Sequence, residues 1–213
     1  MAPALDSLLV LVLVLNLFAL GNSQIGAVIR IVALQGALLG VMPLLVHEHL
    51  GASGVLVALA TMLLKGLVIP GMLLRALREA EIKREVEPLI GMLPSMILGA
   101  LATGFAMLFA SHLPLAGKDT VPLIVPASLA TVLSGFILLT TRYKAISQAI
   151  GYLVLENGIF IFGMLLIEAM PVIVEMGVLL DLFVGIFVIC IIVNHINRAF
   201  SSLDTRRLAE LKE

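Results

Sequence analysis

The sequence predicts an all-α integral membrane protein, a bundle of about seven transmembrane helices. Three observations lead there. Of its 213 residues 61% are hydrophobic and only 13% charged, and the mean hydropathy is +1.18, so a water-soluble fold would leave far too much apolar surface exposed. The apolar runs are about 20 residues long, the length of a helix that crosses a bilayer, rather than alternating segments of about ten as in a membrane β-barrel. The charges are gathered into a few segments between those runs.

In chain order the runs predict spans at 4–22, 25–47, 52–75, 89–112, 121–141, 144–167 and 172–197. Each is a helix because, in lipid, a single segment satisfies its backbone polar groups only by bonding to itself. No Lys or Arg precedes Arg30, so the first run lacks the basic leader of a cleavable signal and is expected to remain as a helix. The links are short except for 76–88, ALREAEIKREVEP, whose mixed charges read as a wet helical extension of the third span, with Pro88 positioned to open the next helix.

Basic residues set the expected orientation. With the N-terminus outside, Arg75, Arg78, Lys83, Arg84, Arg142, Lys144, Arg198, Arg206, Arg207 and Lys212 fall on the cytoplasmic side and only Lys118 lies in an outer loop, an N-out, C-in topology. The net charge of -1 and the lack of basic, aromatic-rich patches give no nucleic-acid surface. One cysteine, Cys190, excludes a disulfide framework and any local iron–sulfur cluster. His47, His49, His112 and His195 lie at span ends, and the first two are spaced by two, which does not put both on one helix face. No metal site and no cofactor site is expected in this chain.

The chain reads as one membrane domain with an internal pattern. Residues 1–75 form a first three-helix unit, 76–120 a charged connector with an inserted helix, 121–200 a second three-helix unit and 201–213 a cytoplasmic tail. Laying the second span on the sixth puts Gln35 opposite Glu156, and laying the third on the seventh brings Lys65 near Asp181. A parallel repeat of three-helix units around an inserted fourth span is the arrangement this suggests.

Polar residues inside the spans are the candidate functional groups: Arg30, Gln35, Lys65, Glu156, Asn157 and Asp181. Lys65, Glu156 and Asp181 fall near their helix midpoints and can share one depth. Facing lipid, the four charged members would together cost roughly 10–14 kcal/mol on insertion scales, comparable to the stability of a whole domain at about 5–15 kcal/mol. They are therefore expected to face protein or water. Arg30, about a turn and a half from its helix end, has the simpler option of snorkelling to the interface. Gln35 and Asn157 have that of interhelical hydrogen bonding. For Lys65, Glu156 and Asp181 a structural ion pair competes with a proton-carrying role, and the expense of burying charge favours the latter. Gly151, Gly158 and Gly163, with Gly177 and Gly185, are small enough to let helices approach and to leave space for a water wire.

Four segments carry a family resemblance. YKAISQAIGYLVLENG at 143–158, PVIVEMGVLLD at 171–181 and LDTRRLAELK at 203–212 resemble component E of hydrogenase-4, as does LKGLVIP at 64–70. The last two helices are also similar to the K subunit of respiratory complex I, which has a buried glutamate in each of its last two spans; Glu156 falls on the first and Asp181, one methylene shorter, on the second. The resemblance implies a non-catalytic membrane subunit of an energy-converting [NiFe]-hydrogenase complex of the formate hydrogenlyase kind, multi-pass in the inner (plasma) membrane. It implies hydrogenase catalytic and iron–sulfur subunits as partners, holding the nickel–iron and iron–sulfur centres, with a complex-I-H-like membrane protein and antiporter-like subunits beside it. It further implies Glu156 and Asp181 as a proton relay with Lys65 as tuning partner or added step. Two other classes stay open: a free-standing secondary ion transporter, which broken helices in matched positions would favour, and a structural spacer, whose charge-neutral variants would pump normally. Pro43, Pro70 and Pro126 are not in matched positions, and the first two lie near the predicted span ends.

Overall fold

The computed structural model describes residues 2–46, 52–79, 88–113 and 123–165. These residues are all-helical, and six of their helical segments are long and apolar enough to cross a membrane. The helices are α1 (Ala2–Gly21), α2 (Ile25–Val46), α3 (Ala52–Leu63), a π-helical turn (Leu64–Val68), α4 (Ile69–Glu79), α5 (Met92–His112), α6 (Ile124–Thr141) and α7 (Ala145–Gly163). The predicted seventh span at 172–197, with Asp181, Cys190 and His195, lies outside the described residues, as do His47, His49 and Lys118.

The third span is α3, the π turn and α4 in continuous succession. It extends to Glu79, so Pro70 is inside the span rather than near its end. Proline has no N–H to offer the carbonyl four residues back, and its ring would clash with that carbonyl in a regular α-helix. Opening the preceding turn gives the ring room, and the Ile69 N–H reaches back five residues to Leu64 O. Lys65 and Gly66 sit in this widened turn. Pro88, in contrast, does not open the next helix: α5 begins at Met92 after Gly91, and Leu89 N–H is tied to Thr141 O (3.0 Å) at the end of α6.

Close glycine contacts set the two tightest helix pairs. A Cβ on Gly151 would stand 2.7 Å from Leu139 N, and one on Gly158 2.6 Å from Val132 N. Gly135 of α6 meets the Leu155 backbone in the same way. These glycines bring α6 and α7 into direct backbone contact, while Gly177 and Gly185 lie outside the described residues. Gly163, with none of the described residues within 4 Å of an added Cβ, has no part in this α6–α7 contact. Gly36 and Gly40 of α2 likewise receive the third span, a Cβ there standing 2.7 Å from the Lys65 Cβ and 2.7 Å from the Met62 Cβ.

Two apolar clusters fill the interior, and their order along each helix shows that they are stacked. One joins Leu20, Ile29, Leu73, Leu138 and Ile150; the other joins Leu9, Leu39, Met42, Ala127 and Ile161. Between them on α1, α2, α6 and α7 come Asn16, Gln35, Thr131 and the pair Glu156/Asn157, all buried. A polar layer is thus enclosed between two apolar ones. α5 covers α1 and α6 with Ser95, Gly99 and Ala106 and turns the rest of its surface, including Leu101, Phe105 and Leu108, outward.

Candidate functional site

The polar layer centres on an ion pair. Lys65 Nζ lies 3.1 Å from Glu156 Oε1, with the side chains 5% and 4% exposed. The Lys65 ammonium is also 4.9 Å from the centre of the Phe160 ring, a cation–π contact one turn beyond Glu156 on α7. Glu156 Oε1 is buried and, among the described residues, has no hydrogen bond of regular geometry, so its compensation there is the charge of the ammonium rather than a directed bond.

Magnitudes show why both charges need this contact. Burying a lysine and a carboxylate at mid-membrane costs roughly 2.5–3.5 kcal/mol each. Opposite charges 3.1 Å apart attract by about 5 kcal/mol at an effective dielectric of about 20. The two quantities nearly cancel, which makes the pair tolerable as a unit and either partner alone costly.

A line of side chains leads away from the ammonium. Lys65 Nζ donates to Asn157 Oδ1 (3.5 Å), Asn157 Nδ2 to Gln35 Oε1 (3.3 Å), and Gln35 Nε2 to Asn16 Oδ1 (2.9 Å). Asn16 Nδ2 then donates to Thr131 Oγ1 (2.9 Å), whose hydroxyl donates to Ala127 O (2.7 Å) in its own helix. The π turn, α7, α2, α1 and α6 each contribute. α5 stays apart.

Of the residues singled out from sequence, Lys65, Glu156, Gln35 and Asn157 are brought together. Arg30 is not: it is exposed on α2, away from this layer. Asp181 lies outside the described residues. Asn16 and Thr131 are members that sequence reasoning passed over. Asn16 is a lone amide in an apolar run, the same signal that drew attention to Gln35, whereas a threonine in a membrane helix carries little signal because its hydroxyl can bond its own backbone.

At one end of the bundle, buried Arg142 donates from Nη2 to Leu20 O (2.9 Å). A cation suits the carbonyl end of a helix, and this bond helps close the C-terminus of α1. Among the described residues, no three His, Cys, Asp or Glu side chains gather as a metal site would require.

No family model matches the chain, and no solved structure matches it. It is 36% identical over 192 residues to the "Uncharacterized protein Rv0085" of Mycobacterium tuberculosis (strain ATCC 25618 / H37Rv), an alignment covering 88% of this chain and 86% of the relative. The protein is thus a multi-pass membrane protein that belongs to the same family as Rv0085.

Proposed function

We propose that this chain is a non-catalytic membrane subunit of an energy-converting [NiFe]-hydrogenase complex of the formate hydrogenlyase kind, and that its buried charges carry protons laterally at mid-membrane. The observation that carries the reading is the enclosed Lys65–Glu156 pair, 3.1 Å apart, in a polar layer with apolar clusters on either side. A layer closed toward both ends favours movement within the membrane plane over passage from one face to the other. The hydrogenase assignment itself rests on the resemblance of 64–70, 143–158, 171–181 and 203–212 to component E of hydrogenase-4.

In this reading the chain has seven spans, N-out and C-in, in the plasma membrane. Hydrogenase and iron–sulfur subunits supply the redox chemistry, while a complex-I-H-like membrane protein and antiporter-like subunits flank the chain. Glu156 takes up a proton and becomes neutral, which releases its electrostatic hold on Lys65; returning the proton to an acceptor restores the ion pair. Asp181 is the next carboxylate in line. Each transfer needs donor and acceptor within hydrogen-bond reach, directly or through one water.

The test is Glu156→Gln in the intact complex. Assembly and hydrogen evolution are expected to persist while most coupled proton pumping is lost. Full pumping by an assembled Glu156→Gln complex would refute the relay. Mild purification of the wild-type chain separately tests the partners, since a chain that emerges without hydrogenase and antiporter-like subunits would argue against the assignment.

A further inference from the structure

Taking Glu156 as the proton carrier, as proposed above, we infer that Asn157, Gln35 and Asn16 are positioning residues: a one-way line of amides that holds the Lys65 ammonium against the Glu156 carboxylate and carries no protons itself. The sense of the hydrogen bonds is the key observation. From Lys65 through Asn157, Gln35, Asn16 and Thr131 to Ala127 O, every bond donates away from the ammonium. Bonds aligned head to tail polarise one another, so each amide behind Asn157 strengthens the oxygen that Asn157 turns toward Lys65. The line then ends on a backbone carbonyl, which has no proton to pass on.

The chemistry of the members separates holding from conduction. A carboxamide offers an acceptor oxygen and a donor NH₂, but unlike a carboxylate it does not titrate in the ordinary range. The root of Lys65 is held separately, since Gly36 packs against its Cβ and backbone carbonyl, while the Asn157 oxygen at the head of the line is one of the contacts that place the tip. Charged groups on the packed helices leave this geometry unchallenged. α6 has none, α1 has Asp6 near its start, α2 has exposed Arg30, and α5 has His112 at its last residue. On the third span the remaining charges, Arg75, Arg78 and Glu79, lie toward its far end. Lys65 is therefore the charge that faces Glu156 among the described residues. Asn16, three hydrogen bonds from Lys65, acts on Glu156 without touching either member of the pair.

The experiment uses the full chain, purified into lipid nanodiscs. The protonated-carboxyl infrared band of Glu156, assigned by its loss in Glu156→Gln, is followed against pH. The dipolar coupling between ¹⁵Nζ of Lys65 and the ¹³C carboxyl of Glu156 is measured in parallel by solid-state NMR. Gln35→Met and Asn16→Leu are each expected to weaken that coupling and to displace the titration of the band from its wild-type position, because an opposite charge acts on a carboxylate in proportion to its proximity. Asn16→Leu serves alone if Gln35→Met does not fold. Wild-type coupling and titration in the folded variant, alongside a shifted titration in Lys65→Met, would overturn the positioning role. Neither readout involves pumping. Failure here leaves Glu156 standing as a proton carrier, and normal pumping by Glu156→Gln leaves the positioning readable.

Discussion

Replacing Lys65 with methionine keeps most of the side-chain volume and removes the charge that faces Glu156. At the observed 3.1 Å the lost attraction is about 5 kcal/mol for an effective dielectric of about 20. Removing one partner of a buried pair generally costs about 3–5 kcal/mol, because the other charge is left without compensation. Lys65→Met is therefore expected to destabilise the protein by about 3 kcal/mol or more, up to the point at which Glu156 takes up a proton. Adding Glu156→Gln removes the stranded carboxylate, so the double variant should recover much of the loss. The assay is a double-mutant cycle on reversible unfolding in mixed micelles. A coupling of about 2–3 kcal/mol is expected, at the upper end for contacting residues. Additivity within about 0.5 kcal/mol, the behaviour of distant independent sites, would refute the view that each charge is tolerated because of the other.

Three further outcomes follow from the packing. Gly158→Leu should destabilise by at least the roughly 1–3 kcal/mol of ordinary overpacking, since its Cβ would meet the Val132 nitrogen at 2.6 Å and the Ser128 backbone oxygen at 2.9 Å, whereas Gly163→Ala, which meets none of the described residues within 4 Å, should be neutral or slightly stabilising; thermal unfolding distinguishes them. Pro70→Ala restores the missing N–H, so the Leu64–Val68 turn should close toward regular α-helix and turn Lys65 away from Glu156, which the Lys65–Glu156 dipolar coupling reads as a loss of signal. Arg30→Gln should leave both the coupling and the unfolding midpoint unchanged, because this exposed side chain lies outside the polar layer.

Much of the architecture is legible in the order of residues. Span positions follow from apolar length, and the described spans begin and end within a few residues of their expected limits; the third runs on to Glu79, in keeping with the helical extension expected of the charged stretch after it, and the expected end of the sixth, at 167, lies outside the described residues. Arg75 and Arg78 are exposed there, on a helix that continues past the apolar run as mixed charges predict. The π turn is not legible there. Pro70 signals a disturbance, but the choice between a kink, a break and a widened turn depends on how α2 packs against Gly66 and Lys65.

Composition and spacing by themselves determined the solvent, the number of apolar runs and the depth of Lys65, Gln35, Glu156 and Asn157, because depth is simply distance along a helix that must cross a slab of fixed thickness. Only the tertiary structure decided which of these groups meet. A helix that is apolar all round carries no stripe to show which side faces its neighbours, so the rotation of each span is set by where glycines permit contact. Gly36 seats Lys65, and Gly151 and Gly158 seat α7 on α6. Those contacts turn Lys65 to Glu156, draw in Asn16 from a span that otherwise looked purely apolar, and leave Arg30 on the outside.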